Sequence, residues 1–203
     1  MWGFDLDGCL VNLAEMVLNI IWERKKLRFE YEDLDNWLDN PKFLLNPGEN
    51  IEIEKEAVSR CNEVRAIQGG IQFIDALRLS GQQHIAMIIT LRGEDLMPAT
   101  HSWIKKYYRS DQYLVHSVSG DKTTKALELG ITAYVEDRLD LAIPMAEAGI
   151  VVFLIDSPWN RAGRPKHRNL IPTSWELLHH SFFTLDGYLE LVKQSQSLSI
   201  RDI

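Results

Sequence analysis

Cysteine is scarce in this 203-residue chain, with only Cys9 and Cys61. That is too few for a disulfide framework or a cysteine-rich zinc site. Cationic residues are also in deficit: 22 Lys and Arg stand against 29 Asp and Glu, a formal charge of −7. Phosphate backbones are held by clustered Lys and Arg, so long nucleic acids and anionic membrane surfaces are disfavoured as partners. Long apolar runs are missing too. Even AMIIT and IVVFLI are strand-sized rather than membrane-sized. The first residues, MWGFDLDG, carry acids where a secretory leader needs a basic and then an apolar stretch. The 6 histidines show no metal-ligand spacing, and the adjacent His179 and His180 would face different ways on a helix. What is present is 45% hydrophobic and 25% charged residues, the mix of a soluble globular domain, expected in the cytoplasm. An acidic protein of this kind needs local help to hold an anionic ligand.

Short apolar strands alternate with amphipathic helices, which predicts an α/β domain built on a doubly wound, mostly parallel sheet. The apolar runs predict strands at residues 1–5, 84–90, 113–118, 132–137 and 149–155. Helices are expected at about 10–26, 51–67, 71–81, 96–108, 122–130 and 140–148, with closing helices at 173–180 and 184–194. Pro144 should delay or kink the helix that contains it. Residues 27–68 break the rhythm, with short aromatic and acidic pieces before a helix and nothing like a buried strand. They suggest a helical insert, with the core at 1–16 and 69–203, the cap at 17–68 and Gly69-Gly70 as the return hinge.

Four groups with chemical potential fall at predicted strand ends. In FDLDG, Asp5 and Asp7 at i and i+2 put two carboxylates on one side of an extended chain. Such a pair is stable with a cation between its members or a shared proton; a solvated acidic turn is the plainer alternative. Thr90 closes AMIIT, where its hydroxyl can donate to an oxyanion or bond to backbone. Lys122 of DKTTKA lies nearest a strand end, within reach of a phosphate oxygen, or is a surface lysine. In YVEDR, Glu136 and Asp137 can complete an oxygen-ligand site for Mg²⁺, or complement a helix dipole.

In that order, Asp-x-Asp, Thr, Lys and Glu-Asp resemble the four motifs of the haloacid dehalogenase-like superfamily. FDLDG matches the first, IIT the second, Lys122 the third and VEDR the fourth. Within the superfamily, ITLRG and VEDRLDLAIPMAEAGIVVFLIDSPWNR resemble the 5′(3′)-deoxyribonucleotidase group and its bacterial and phage relatives, with Leu91 and Gly93 as departures. The resemblance implies a Rossmann-like core with a small helical cap after the first βα unit. It also implies a Mg²⁺-dependent phosphomonoester hydrolase. Asp5 would be the nucleophile and Asp7 the acid and base. Thr90 and Lys122 would offset phosphate charge, with Glu136 orienting either Lys122 or a metal-bound water. Asp5, the backbone carbonyl of Asp7 and Asp137 would be the metal ligands. The implied partner is a small phosphorylated substrate, a nucleoside monophosphate first. Another phosphorylated metabolite or a nucleic-acid 3′-phosphate end is the alternative.

Candidate substrate contacts are Arg92, Trp37, Trp159 and Arg161. Phe29, Tyr31, Trp37 and Phe43 either stack on a base or form the insert's own core, and the second reading accounts for most of them. The loop carrying Trp159, Arg161, Arg164, Lys166, His167 and Arg168 either supplies positive potential or is a solvated charge run. Cys9, beside carboxylates that raise its pKa, is expected to be structural. A receiver-like phosphoacceptor would place its aspartate on a middle strand and lack the insert. A non-catalytic binding protein on this fold would be expected to have lost Asp5 or Asp7.

Overall fold

A computed structural model of the chain describes residues 1–81, 85–108 and 113–183. Six parallel strands form one sheet in the order β3-β2-β1-β4-β5-β6. They are β1 (Trp2–Phe4), β2 (Ala86–Thr90), β3 (Tyr113–Ser117), β4 (Ala133–Glu136), β5 (Val151–Ile155) and β6 (Leu170–Thr173). The strand order reverses between β1 and β4, and open α/β sheets form their crevice at such a switch, beyond the strand carboxyl ends. β1 pairs with β2 on one side and β4 on the other, Phe4 lying opposite both Ile88 and Val135.

Alternate residues divide the core between the two faces of the sheet. Trp2, Phe4, Ile88, Val135 and Phe153 pack on one face, and Met87, Ile89, Tyr134, Val152 and Leu154 on the other. Gly3 lies under the Tyr134 ring; a Cβ there would stand 2.5 Å from Tyr134 Cδ2. The fully buried pattern of β2 follows from helices covering both faces.

The helices are α1 (Leu13–Lys25), α2 (Glu49–Ser59), α3 (Gln68–Leu79), α4 (Met97–Tyr107), α5 (Lys122–Glu128), α6 (Leu139–Glu147) and α7 (Trp175–Phe183). α1 spans the boundary placed at 16–17. It buries Leu13, Met16, Val17, Ile20 and Ile21, the face its periodicity predicts. Asn12 caps it through Glu15 N. Between α1 and α2, three short 3₁₀ turns cover Tyr31–Leu34, Trp37–Asp39 and Pro41–Phe43. Ser174 caps α7 through Leu177 N at 3.2 Å. The helix expected at 184–194 lies outside the described residues.

Four expectations need correction. Gly69 and Gly70 are no hinge but sit in the first turn of α3. A Cβ on Gly69 would meet Trp175 Cβ at 2.3 Å, and one on Gly70 would meet Leu10 Cδ2 at 2.8 Å, so both permit close packing. The helix expected over 51–67 ends at Ser59, followed by a 3₁₀ turn at Cys61–Glu63. β6 was not anticipated: it is short, and Pro172, exposed within it, is tolerated because β6 is an edge strand. Of the two effects expected of Pro144, a late start does not occur, since the helix runs from Leu139 through Pro144 to Glu147.

Candidate active site

The carboxyl ends of β1, β2 and β4 open into a cavity of about 1310 Å³, walled on its far side by residues of the 36–59 segment. Asp5, Asp7, Thr90, Arg92, Lys122, Asp137, Trp37 and Trp159 all line it. Six of these sequence-predicted site residues sit on strand ends or the loops that follow them, Lys122 opens α5, and Trp37 comes from the opposite wall.

At its floor lies a buried charge cluster. Lys122 Nζ, at the start of α5, donates to Asp5 Oδ1, and to Glu136 Oε2 at 3.2 Å. Glu136 is fully buried. Its other oxygen accepts from Asp137 N and Arg138 N, at 3.1 and 3.2 Å. Glu136 therefore fixes both the lysine and the backbone that presents Asp137, the orienting place expected of it. Burial pushes the Asp5 carboxyl up to about 7, with Glu136 adding to the rise and Lys122 opposing it. Burial, with Asp5 and Glu136, also holds the Asp137 carboxyl well above the usual range. Two carboxyls so disfavoured as anions are those a bound cation would ionise.

The donor set suits a hard divalent cation. One ligand atom each from Asp5, Cys9 and Asp137 lies within 4.8 Å of the others. Two of these are carboxylate oxygens, which suit Mg²⁺. The third is a thiol that burial, then Asp137, Asp5 and Glu136, push well up, and its soft sulfur is a poor donor for Mg²⁺. Gly8 leaves the approach open. Its φ is +81°, and a Cβ there would stand 2.0 Å from Asp137 Oδ2. The residues fit Mg²⁺ better than Zn²⁺, and Cys9 keeps a structural place.

Asp7 is held differently. Arg92 Nε and Nη2 reach its two oxygens at 2.9 and 2.6 Å, while Arg92 Nη1 donates to Thr100 Oγ1 at 3.0 Å. The Arg92 side chain is 2% exposed against 24% for Asp7. Arg92 thus lines the cavity, but its guanidinium is committed to Asp7 and Thr100. Thr90 is buried, and its Oγ1 accepts from Arg92 N at 3.2 Å.

The basic loop is less cationic than its composition. Arg161 Nη2 pairs with Asp156 at 2.9 Å and its Nη1 with Glu32 at 2.5 Å. Arg164 Nη2 pairs with Asp156 at 2.5 Å. Arg161 does not line the cavity, and acids on both sides pair with it. Trp159 is in place, its Nε1 donating to Asp137 Oδ2 at 3.1 Å. The aromatic insert splits. Phe43 is buried with Phe29 against it at 4.7 Å, whereas Tyr31 and Trp37 turn to Trp159, at 5.7 and 4.8 Å.

Asn160 was missed. Its Nδ2 donates to Asp137 O at 2.6 Å and to Ile155 O at 2.8 Å, tying the ends of β4 and β5 together. The available signal was a polar residue in Pro-Trp-Asn directly after a buried strand. Asp39 and Glu54 in the far wall carry no motif and were also missed.

No family model matches the chain. A nucleotidase of Clostridium acetobutylicum is 30% identical over 90 residues, 44% of this chain and 46% of that protein. The match thus spans about half of the curated relative's length. Among solved structures, a HAD family hydrolase of Deinococcus radiodurans, with bound phosphate and sodium, superposes with a TM-score of 0.55 at 18% identity, over 89% of this chain and 93% of its own. YfnB of Bacillus subtilis, bound to magnesium, gives 0.55 at 13% identity, over 90% and 98%. Together with the all-parallel sheet and its flanking helices, these likenesses show that the chain has the Rossmann-like fold of the haloacid dehalogenase-like hydrolases.

Proposed function

We propose that the protein is a Mg²⁺-dependent phosphomonoester hydrolase acting through an aspartyl-phosphate, with nucleoside monophosphates as first-choice substrates. The observation that carries the reading is the convergence of Asp5, Lys122, Glu136 and Asp137 at the β1/β4 switch, with Asp7 and Thr90 on the same cavity. The fold of a phosphate-bound hydrolase and the magnesium in a neighbour support it, and the partial nucleotidase likeness supports the substrate class.

Asp5, Asp137 and the Asp7 carbonyl would hold Mg²⁺, which when bound supplies positive charge against the phosphate oxygens and keeps the carboxylates ionised. Asp5 then attacks phosphorus in line, forming the acyl-phosphate bond as the ester P–O bond breaks. A proton on Asp7 goes to the leaving oxygen, so the alcohol departs neutral. Water attacks the phosphorus of the aspartyl-phosphate and gives a proton to Asp7 as the Asp5–phosphorus bond breaks, which frees the Asp5 carboxylate and releases inorganic phosphate. Thr90 and Lys122 offset charge on the equatorial oxygens. Arg92, fastened to both oxygens of Asp7, fixes where that carboxyl rests between the two proton transfers. The segment 17–68 is the cap, and the rings of Trp37 and Trp159 offer a surface for a base, worth about 1–3 kcal/mol per stacked ring.

Phosphate release from a panel of nucleoside monophosphates and sugar phosphates, with and without Mg²⁺, tests both levels. Nucleotide turnover that vanishes in Asp5→Asn is the expected result. Activity surviving in that variant would remove Asp5 as nucleophile. Equal turnover of sugar phosphates, or none of nucleotides, would leave the hydrolase reading and remove the nucleotidase one.

A further inference from the structure

On Trp159 the cap wall and the acidic floor meet in a single side chain. Its Nε1 donates to Asp137 Oδ2 at 3.1 Å. Its ring takes edge-on contacts from Tyr31 at 5.7 Å and Trp37 at 4.8 Å, interplanar angles 70° in both. Around that ring the same stretch of core receives the same stretch of cap twice more. Tyr31 OH lies 3.4 Å from Ser157 Oγ, and Arg161 Nη1 lies 2.5 Å from Glu32 Oε2.

Both sides of this junction are stiff. On the core side, Asn160 Nδ2 grips Asp137 O and Ile155 O, and Ser157 N donates to Asn160 Oδ1 at 3.3 Å. On the cap side, Trp37 has φ +46°, a left-handed conformation unfavourable for a residue with a bulky side chain. Such an outlier persists where surrounding contacts impose it, and here they aim the ring at Trp159. A shift of the 31–37 segment must therefore move or tilt the Trp159 indole, and with it the donor on Asp137.

From this geometry we infer that Trp159 is a positioning residue coupling the seating of the cap to the aim of the Asp137 carboxylate, so that cation binding and cap closure favour each other. The inference rests on the reading of Asp137 as a metal ligand and assigns the indole N–H a task separate from any stacking by the ring. A partner hydrogen-bonded to a metal ligand typically changes metal affinity roughly 10–100-fold when removed. Coupling of this kind is reciprocal, so whatever Mg²⁺ adds to cap seating the cap returns to Mg²⁺ affinity.

Trp159→Phe separates the two tasks, because it keeps a ring for the cap and removes the donor. Mg²⁺ alone is titrated calorimetrically into the full chain, and amide exchange across residues 31–39 is followed with and without it. In the wild type, Mg²⁺ should slow exchange across that segment. In Trp159→Phe, affinity should fall roughly 10–100-fold and the slowing should be lost. Trp37→Ala, which touches no carboxylate, should also weaken Mg²⁺, giving a second route if the first variant folds poorly. Unchanged Mg²⁺ affinity in both variants, or exchange across 31–39 indifferent to Mg²⁺ in the wild type, overturns the coupling. If the wild type binds Mg²⁺ and releases phosphate while the variants match it, only this inference falls. If the wild type takes up no Mg²⁺, the functional reading falls and takes the inference with it.

Discussion

Lys122 shows how much a single buried charge decides. Its side chain is 2% exposed, and its ammonium serves two carboxylates, Asp5 and Glu136. Burial alone would lower its pKa, but Asp5 and Glu136 raise it well above the ordinary value, so it remains a cation. Removing one partner from a buried ion pair is costly because the other is left uncompensated, typically by about 3–5 kcal/mol. Lys122→Met should therefore destabilise the metal-free protein by about that much in urea unfolding. A surface lysine would cost almost nothing, so a change within about 0.5 kcal/mol would contradict the buried cluster. Lys125, one turn on, is the internal control. It is partly exposed and pairs with Glu128 at 3.2 Å, an i,i+3 contact of the kind that adds only a few tenths of a kcal/mol.

At the scale of elements, α3 carries the sharpest test, because its two possible roles predict opposite signs. If Gly69 and Gly70 were a hinge, alanine at Gly69 would cost flexibility and little stability. In an open helix it would even stabilise by about 1 kcal/mol. With Trp175 Cβ 2.3 Å from the added methyl, overpacking dominates, and Gly69→Ala should destabilise by about 1–3 kcal/mol in chemical denaturation. The same contrast explains what was legible in the sequence. β1, β2, β4 and β5 announced themselves because strands covered on both faces are largely apolar, β3 through its short Tyr-Leu-Val run although it is a half-exposed edge strand, and the site carboxylates because they stand where the covered runs stop. β6 did not, because a short edge strand holding a proline lacks that signature. Asp5, Asp7, Thr90, Lys122 and Asp137 were legible as a linear series of strand ends. Their partners were not: Arg92 gripping Asp7, Trp159 and Asn160 on Asp137, and Asp156 and Glu32 claiming Arg161 all depend on chain segments brought together by the crossovers. The sequence could give the insert's aromatics two roles but could not apportion them. Phe43 went inward with Phe29, while Tyr31 and Trp37 went to the Trp159 ring.

For the whole molecule, the buried acids make stability depend on pH and on the cation together. The Asp5 carboxyl is raised from 3.8 to about 7, chiefly by burial, and Asp137 is raised as well. A raised acid binds its proton more tightly when folded, so its contribution falls as pH climbs from about 4 towards the folded value and is flat above it. Without a cation, these two groups make the protein less stable at about pH 8 than at about pH 5. A ligand that binds only the folded, ionised pair offsets the loss. The rise in Tm on adding Mg²⁺ should therefore be clearly larger at about pH 8 than at about pH 5. Equal shifts at the two pH values would mean that the cation binds elsewhere. The formal charge of −7 acquires a location in this picture, since part of it is gathered where a divalent cation would reverse the local sign.

The strand order also sets a timetable. β1 is made before every other strand yet is flanked by β2 and β4, so its second edge stays unpaired until residues 133–136 have been synthesised. Asp5 waits 117 residues for Lys122. A ribosome adding about 5–20 residues per second leaves that first strand half-paired for several seconds, open to other partners. Until β4 pairs, Asp5 also lacks Glu136, one of the groups that raise its pKa in the finished fold.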